Sequence, residues 1–369
     1  MSVNEQPIIA LNEVSKQFGA AFALRPTSLE VRKGEFLTLL GPSGSGKSTL
    51  LNLISGAYAA SSGKILLNGS DITNEAPRKR GIGMVFQNYA LMPHMTAFEN
   101  VAYPLKIRGV SKADIKVKVM DALQRVGLGG FENRKPKQLS GGQQQRVGIA
   151  RCIVYSPSII MMDEPLGALD KNLREQMQDE IKTLHQEIGT TFIYVTHDQE
   201  EALNMSDRIC LMNNGGIEQL GTPDDLYFRP VNKFVAQFIG ESNLLTGKID
   251  DNGALKLPSG YVLKMPVQPK RSSGSDCEVM LRPERIRLAD ANASKTASTV
   301  SGNVVGVSFI GSMTTLSVSL PDGTLFKLKL TSQPLQSRYK VGDPIELQWG
   351  PDDLVVLGDA NSKAKNQQF

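Results

Sequence analysis

Gly41-Pro42-Ser43-Gly44-Ser45-Gly46-Lys47-Ser48 decides the fold. The stretch fits G-x-x-x-x-G-K-[ST], the phosphate-binding loop known as the P-loop. The spacing has a chemical reason. Glycines let successive backbone N–H groups turn inward around an anion, and a helix starting near Lys47 aims its positive end at the same phosphates. Lys47 is expected to reach the β- and γ-phosphates, and the Ser48 hydroxyl to ligate Mg²⁺. Ser43, Gly44, Ser45, Gly46, Lys47, Ser48 and Thr49 are therefore candidate nucleotide contacts. The flanks agree: Phe36–Leu40 reads as a buried strand, and Ser48–Ile54 as a helix ended at Gly56.

Farther along, Ile159-Ile160-Met161-Met162 reads as another buried strand that ends in Asp163-Glu164-Pro165. Carboxyl ends of parallel strands open onto a ligand crevice. Asp163 is expected to hold Mg²⁺, and Glu164 to orient and deprotonate an attacking water. Helical patterns alternate with these strands. Ser111-Lys112-Ala113-Asp114 reads as a capping box, followed by an apolar face of Ile115, Val119, Leu123 and Val126 that Gly127 stops. Leu173, Met177, Ile181, Leu184 and Ile188 form a second face, stopped by Gly189. Thr191–Val195 is β-rich, Arg208–Met212 and Ile217–Leu220 read as a hairpin, and Val231–Ile239 as a last helix. Alternation of this kind predicts an α/β fold with a mostly parallel sheet covered on both faces.

The texture changes near residue 240. Beyond it the candidate strands are Leu244–Ile249, Tyr261–Lys264, Glu278–Leu281, Val304–Phe309, Thr315–Val318, Leu325–Leu330 and Ile345–Gln348. Asp251-Asn252-Gly253 and Pro321-Asp322-Gly323 carry hairpin chemistry. Stretches 266–275 and 289–299 are polar and read as exposed loops. The expectation is an α/β domain over residues 1–240 and a small all-β barrel over 241–369.

Composition narrows the function classes. The chain has 369 residues, with 40% hydrophobic, 21% charged and a net charge of +4. That is ordinary usage for a globular protein and too weakly basic to imply nucleic acid. No apolar run approaches the ~18 residues that span a bilayer, and no secretory signal is visible at the N-terminus. The three cysteines, Cys152, Cys210 and Cys277, have neither zinc spacing nor a disulfide framework, which fits a reducing cytosol.

Leu139-Ser140-Gly141-Gly142-Gln143-Gln144-Gln145-Arg146-Val147 is the most specific stretch. It reads as a second phosphate cradle: a serine hydroxyl, two glycines that permit close approach, and a helix N-terminus. It resembles the signature of the ATP-binding cassette family, the motor subunits of ABC transporters. The resemblance implies a P-loop NTPase cassette over residues 1–240, with a mixed sheet and a helical subdomain at about 88–156, that binds ATP and Mg²⁺ and works as a head-to-tail homodimer. Ser140, Gly141, Gly142 and Gln143 of one chain would then close on the other chain's nucleotide.

Further positions match the family one at a time. Gln87, in Val85-Phe86-Gln87-Asn88, matches the Q-loop, which contacts Mg²⁺ or water and relays to the membrane partner. Asp170, after Leu169, matches the D-loop. His197, in Val195-Thr196-His197-Asp198, matches the switch histidine near the γ-phosphate. Phe18 matches the aromatic that stacks on adenine, and Arg134 a basic position that reaches nucleotide across the dimer. On this resemblance Glu164, His197, Lys47 and Gln87 are the catalytic set, and Ser48, Gln87 and Asp163 the metal set. Two departures stand out: Gly167 where the family more often has Ser, and Met161-Met162 before Asp163. Neither removes a catalytic group.

The stretch from Gly221 to Glu241 and the phrase Leu281-Arg282-Pro283-Glu284-Arg285 resemble solute importers with an oligonucleotide-binding-like C-terminal barrel. Such importers carry polyamines, ferric iron, sugars or phosphonates, and Phe238-Ile239-Gly240-Glu241-Ser242-Asn243 leans toward polyamines. The resemblance implies integral membrane permease subunits as partners, an external solute-binding protein acting indirectly, no nucleic acid, and a peripheral position on the cytoplasmic face of the inner membrane. The segment from Gln87 to Gly109 is the expected contact with the permease. The rival readings are a non-transport ABC ATPase and a binding module whose barrel is regulatory.

Overall fold

The computed structural model describes residues 6–167, 169–267, 271–289, 298–332 and 339–358. Parts of the predicted loops 266–275 and 289–299, and Ala168 beside the D-loop, lie outside the described residues. The chain divides into two compact units, Met1–Pro223 and Asp224–Phe369.

The first unit opens with β1 (Ile9–Phe18) and β2 (Ala21–Val31), then the buried strand β3 (Phe36–Leu40) and helix α1 (Lys47–Ser55). β4 (Ser62–Leu67), β5 (Ser70–Asp71) and β6 (Ile82–Val85) follow. Three helices come next: α2 (Ala97–Ile107), α3 (Lys112–Arg125) and α4 (Gly141–Ile153). β7 (Ile159–Asp163), α5 (Lys171–Ile188), β8 (Thr191–Thr196), α6 (Gln199–Met205) and the hairpin β9 (Arg208–Asn213) and β10 (Gly216–Gly221) complete it.

A six-stranded sheet runs in the order β10-β9-β3-β8-β7-β6. β9, β3, β8, β7 and β6 are parallel, and only β10 is antiparallel, at the edge. All five residues of β3 and all six of β8 are buried, as strands covered on both faces must be. A separate four-stranded antiparallel sheet, β2-β1-β4-β5, packs its apolar residues with α1 into a second core that includes Ile9, Leu24, Leu50 and Ile65. Sequence patterning missed this sheet, because β1 and β2 mix polar and apolar residues and carry three register shifts between them.

Local chemistry explains the helices. Thr96 accepts from the Glu99 N–H while Glu99 accepts from the Thr96 N–H, a reciprocal cap on α2. Ser111 caps α3 alone: the Asp114 carboxylate takes the Ser111 hydroxyl hydrogen instead of closing a backbone box. Met177, Ile181 and Leu184 are the buried apolar face of α5, and Gly189 ends it at φ 64.

Helix α7 (Pro223–Phe228), which the sequence did not predict, opens the second unit, and α8 (Lys233–Phe238) falls within the predicted helix Val231–Ile239. Pro230 separates them, since it cannot continue a helix. Arg282 draws this segment onto the barrel. Its guanidinium donates to Tyr227 O, Ala236 O, Glu241 O and Ser242 Oγ, and lies 4.1 Å from the centre of the Tyr227 ring. The rest is two five-stranded antiparallel sheets. One is ordered Val262–Leu263, Leu255–Lys256, Asn243–Ile249, Asp276–Leu281 and Leu354–Val356. The other is ordered Arg287–Leu288, Pro344–Trp349, Ser298–Ile310, Met313–Ser319 and Leu325–Thr331. Phe326 stacks on Trp349 in the core they share.

Candidate functional site

Because β3, β6, β7 and β8 are parallel, their carboxyl ends reach one edge of the sheet. That edge carries the loop 41–46 after β3, Gln87 after β6, Asp163 and Glu164 at the end of β7, and His197 after β8. Leu40 pairs with Thr196 and Asp163 with Val195, so the four loops sit side by side.

The loop before α1 is built as a cradle. Gly41 has φ 153, and a Cβ there would lie 2.2 Å from Met212 O. Gly46 has φ 103, and its Cβ would lie 2.9 Å from Ala23 O. Backbone bonds from the Gly215 N–H to Ser45 O and from the Arg25 N–H to Gly215 O fix the loop against its neighbours. The turn between β9 and β10, which the sequence showed only as hairpin chemistry, is thus the loop's floor.

Three features of the cradle fit a phosphate. α1 has no side-chain N-cap, whereas α2, α3, α4, α5 and α6 each have one. The Ser45 hydroxyl is buried with no hydrogen-bond partner. Lys47 is buried, and its ammonium donates to Gly41 O at 2.8 Å and Pro42 O at 2.9 Å, spanning the loop's mouth. Burial lowers its pKa, opposed by the charges of Glu164 and Asp163. Ser43 and Gly44 form the exposed crest, and Thr49 is half-buried in the first turn of α1.

Ser48 Oγ donates to Asp163 Oδ1 at 3.4 Å, joining the two motifs across 115 residues. Burial, then the Glu164 charge, pushes the Asp163 carboxyl above its ordinary value, while Ser48 and Lys47 pull it back. A hydroxyl and a carboxylate oxygen are hard donors of the kind Mg²⁺ takes alongside phosphate oxygens and water. Among the described residues no group of three or more His, Cys, Asp and Glu could hold a metal. The donor set fits a cation that arrives with a phosphate, not one caged by protein.

Glu164 is held at φ 44, a left-handed conformation rare for a side chain of this kind, with its N–H donating to Val195 O. Its Oε2 lies 3.3 Å from His197 Nδ1. The nearby loop approaches here too: a Cβ on Gly167 would lie 3.6 Å from Glu164 O and 3.9 Å from Gln87 Nε2. The structure therefore brings Lys47, Ser48, Asp163, Glu164, His197 and Gln87 to one edge. Phe18 is 52% exposed at the end of the β1–β2 hairpin, edge-on to Tyr58, with the Lys16 ammonium 5.0 Å from its ring centre.

The signature residues do not join this group within one chain. Ser140 accepts from the Gln143 N–H while Gln143 Oε1 accepts from the Ser140 N–H, so the two cap α4 reciprocally. Ser140 and Gly141 are exposed, and Gly142 packs against Leu173. Asp170 caps α5 through the Leu173 N–H. The Arg134 guanidinium stacks 4.4 Å from the Phe131 ring.

A buried polar network behind His197 was not found by sequence reasoning. Glu201 Oε2 accepts from Tyr194 Oη and Thr196 Oγ1, and the Arg174 guanidinium reaches both Asp198 Oδ2 at 3.4 Å and Leu169 O at 3.0 Å. The available signal was Asp198 three residues before Glu201, the spacing of a helix cap.

The ABC transporter family matches residues 24–167 and the TOBE domain matches residues 279–357. The spermidine/putrescine import ATP-binding protein PotA of Acetivibrio thermocellus is 50% identical over 82% of this chain and 85% of its own. PotA of Thermobifida fusca is 44% identical over 95% of this chain and 94% of its own. The ATP-binding cassette MJ0796, solved as a post-hydrolysis dimer bound to ADP and Pi, is 36% identical with a TM-score of 0.52, covering 58% of this chain and 98% of its own. With its cradle, acidic strand end and signature in one chain, this protein belongs to the ABC transporter family, as an ATP-hydrolysing cassette that carries a C-terminal TOBE domain.

Proposed function

We propose that the chain is the motor of a polyamine importer, taking up substrates such as putrescine or spermidine. The observation that carries this reading is its likeness, over 95% of its length, to an import ATP-binding protein for those solutes. We further propose that it acts as a homodimer, peripheral on the cytoplasmic face of the inner membrane. It would bind integral permease subunits through the region from Gln87 to Gly109, and a solute-binding protein only through them. Among the described residues no helix is long and apolar enough to cross a membrane, which fits a motor that delivers its work to other subunits.

In this reading each residue has one task. The backbone N–H groups of 43–49 and the uncapped N-terminus of α1 hold the β- and γ-phosphates. Lys47 exchanges its two carbonyl partners for phosphate oxygens as charge develops on them. Ser48, Asp163 and Gln87 would hold Mg²⁺, which supplies neutralisation of phosphate charge. Glu164 accepts the proton of the attacking water, and His197, whose Nδ1 lies 3.3 Å from Glu164 Oε2, keeps that carboxylate and the γ-phosphate in line. Phe18 stacks on adenine. Ser140 to Gln143, Arg134 and Asp170 act on the partner's nucleotide. The cassette over 1–240 is the engine and the barrel over 241–369 its regulator.

The test is purification of the tagged chain from its native membranes, identification of what comes with it, and reconstitution in vesicles. Copurified permease subunits and ATP-dependent uptake of labelled spermidine support the reading. Uptake of ferric iron, sugar or phosphonate instead overturns the polyamine assignment. Recovery as a purely soluble dimer, or with ribosomes or DNA, overturns transport.

A further inference from the structure

The turn that follows β6 and carries Gln87 contains two consecutive left-handed residues, Tyr89 at φ 56 and Ala90 at φ 45. Neither is a residue that takes this conformation readily, and each is disfavoured about five- to thirtyfold there. Such a pair persists only where its surroundings over-determine it. The determinant is Arg151. One of its Nη groups donates to Tyr89 O and the other to Ala90 O, both at 2.7 Å. A planar guanidinium can hold two neighbouring carbonyls at once, which a lysine ammonium on its flexible stem does poorly. The Tyr89 ring is buried beneath the turn, and Tyr89 O passes over the bare face of Gly148, 3.7 Å from where a Cβ would sit.

Arg151 stands at the C-terminal end of α4, and Ser140 caps the N-terminal end of the same helix. Thirteen residues of α-helix form a rod of roughly 20 Å. One end carries the signature; the other grips the turn that fixes the backbone of Gln87. We propose that Arg151 is a positioning residue for ATP hydrolysis: by clamping Tyr89 and Ala90 in their left-handed turn, it makes the placement of Gln87 move with the signature helix. Each chain's α4 would then tie the Q-loop of one nucleotide site to the signature that serves the other. This rests on the ATPase reading of the site, although Arg151 itself touches no nucleotide.

The test uses the full chain in four forms: wild type, Arg151→Ala, Arg151→Lys, and Arg151→Ala combined with Ala90→Gly. Glycine takes the left-handed conformation without the side-chain penalty, so the second change relieves the turn without restoring the guanidinium. Arg151→Ala is expected to speed amide exchange over residues 86–92 and lower kcat, each by about tenfold, the scale of one freed left-handed residue, with KM for ATP within about twofold. The Ala90→Gly double variant is expected to recover at least about half of both losses, and Arg151→Lys to fall between wild type and Arg151→Ala. A merely structural role of Arg151 in α4 would lower melting temperature without rescue by glycine at 90. Unchanged exchange over 86–92 in Arg151→Ala, or in Arg151→Lys if the alanine variant does not fold, overturns the proposal. So does a lost kcat that Ala90→Gly leaves lost. If the wild type hydrolyses no ATP, the ATPase reading fails, and the exchange arm alone decides the clamp.

Discussion

Glu164→Gln should separate nucleotide binding from turnover. The substitution keeps size and hydrogen-bonding reach but removes the group able to accept a proton from water. A positioned general base contributes about 10²–10⁴ in rate, or about 2.7–5.5 kcal/mol of barrier. The structure bounds the cost to folding. Gln inherits the strained backbone at φ 44 unchanged, so no conformational energy is gained or lost there. The contact with His197 is 3.3 Å, with the histidine side chain 60% exposed and the glutamate 26%, so its loss is worth at most about 1 kcal/mol. Removing one negative charge beside Lys47 and Asp163 leaves the ammonium with Asp163 as its remaining acidic neighbour and relieves repulsion on that carboxylate. Phosphate release should therefore fall at least about a hundredfold while the melting temperature moves by no more than about 2–4 °C. Light scattering after gel filtration should show a dimer in ATP that wild type does not keep, because the γ-phosphate is no longer lost. Phosphate release within fivefold of wild type would refute the assignment of Glu164 as the base, whatever the oligomer does.

Three more outcomes follow from geometry. Gly41→Ala should cost about 1–3 kcal/mol in denaturant titration, because its Cβ would meet the backbone oxygen of Met212 at 2.2 Å and Met212 is buried. Arg282→Ala should take the donor from Tyr227 O and Glu241 O, while Ala236 O and the Ser242 hydroxyl keep each other, lowering the unfolding transition of the second unit by about 2–6 kcal/mol, at about 1–3 per group, as read by urea titration followed at Trp349. All three thiols are buried, and burial pushes Cys152 and Cys210 up to about 12, so a thiol reagent at pH 8 should find none in the native chain and three after unfolding. Since the folded thiols titrate above their unfolded value of 9.0, their contribution to stability is complete below that pH and declines as pH rises from 9.0 toward 12.

The loop before α1 and the acidic end of β7 were legible in the sequence because their chemistry is local. A P-loop needs particular glycines, a lysine and a hydroxyl within eight residues, and an acidic pair needs only to end an apolar strand. What the sequence hid depends on residues that meet late. The floor under the loop is the turn at Gly215, held between Ser45 O and the Arg25 N–H, residues that no spacing brings together. Arg174 joins Leu169 to Asp198 across two loops, and its role follows only once β8 and α5 are packed side by side. The four-stranded antiparallel sheet was invisible for a different reason. Its two long strands slip register three times, so period-two alternation never runs long enough to read. Tyr89 and Ala90 show the same limit most sharply. Nothing in Gln87-Asn88-Tyr89-Ala90 announces two left-handed residues, because the energy that enforces them comes from Arg151, about sixty residues away in the chain. Local motifs thus name the reaction, while long-range contacts hold its parts in place. The residues that coordinate the two ATP sites of a dimer should be sought among the latter, at guanidinium groups that grip strained backbone rather than at the nucleotide itself.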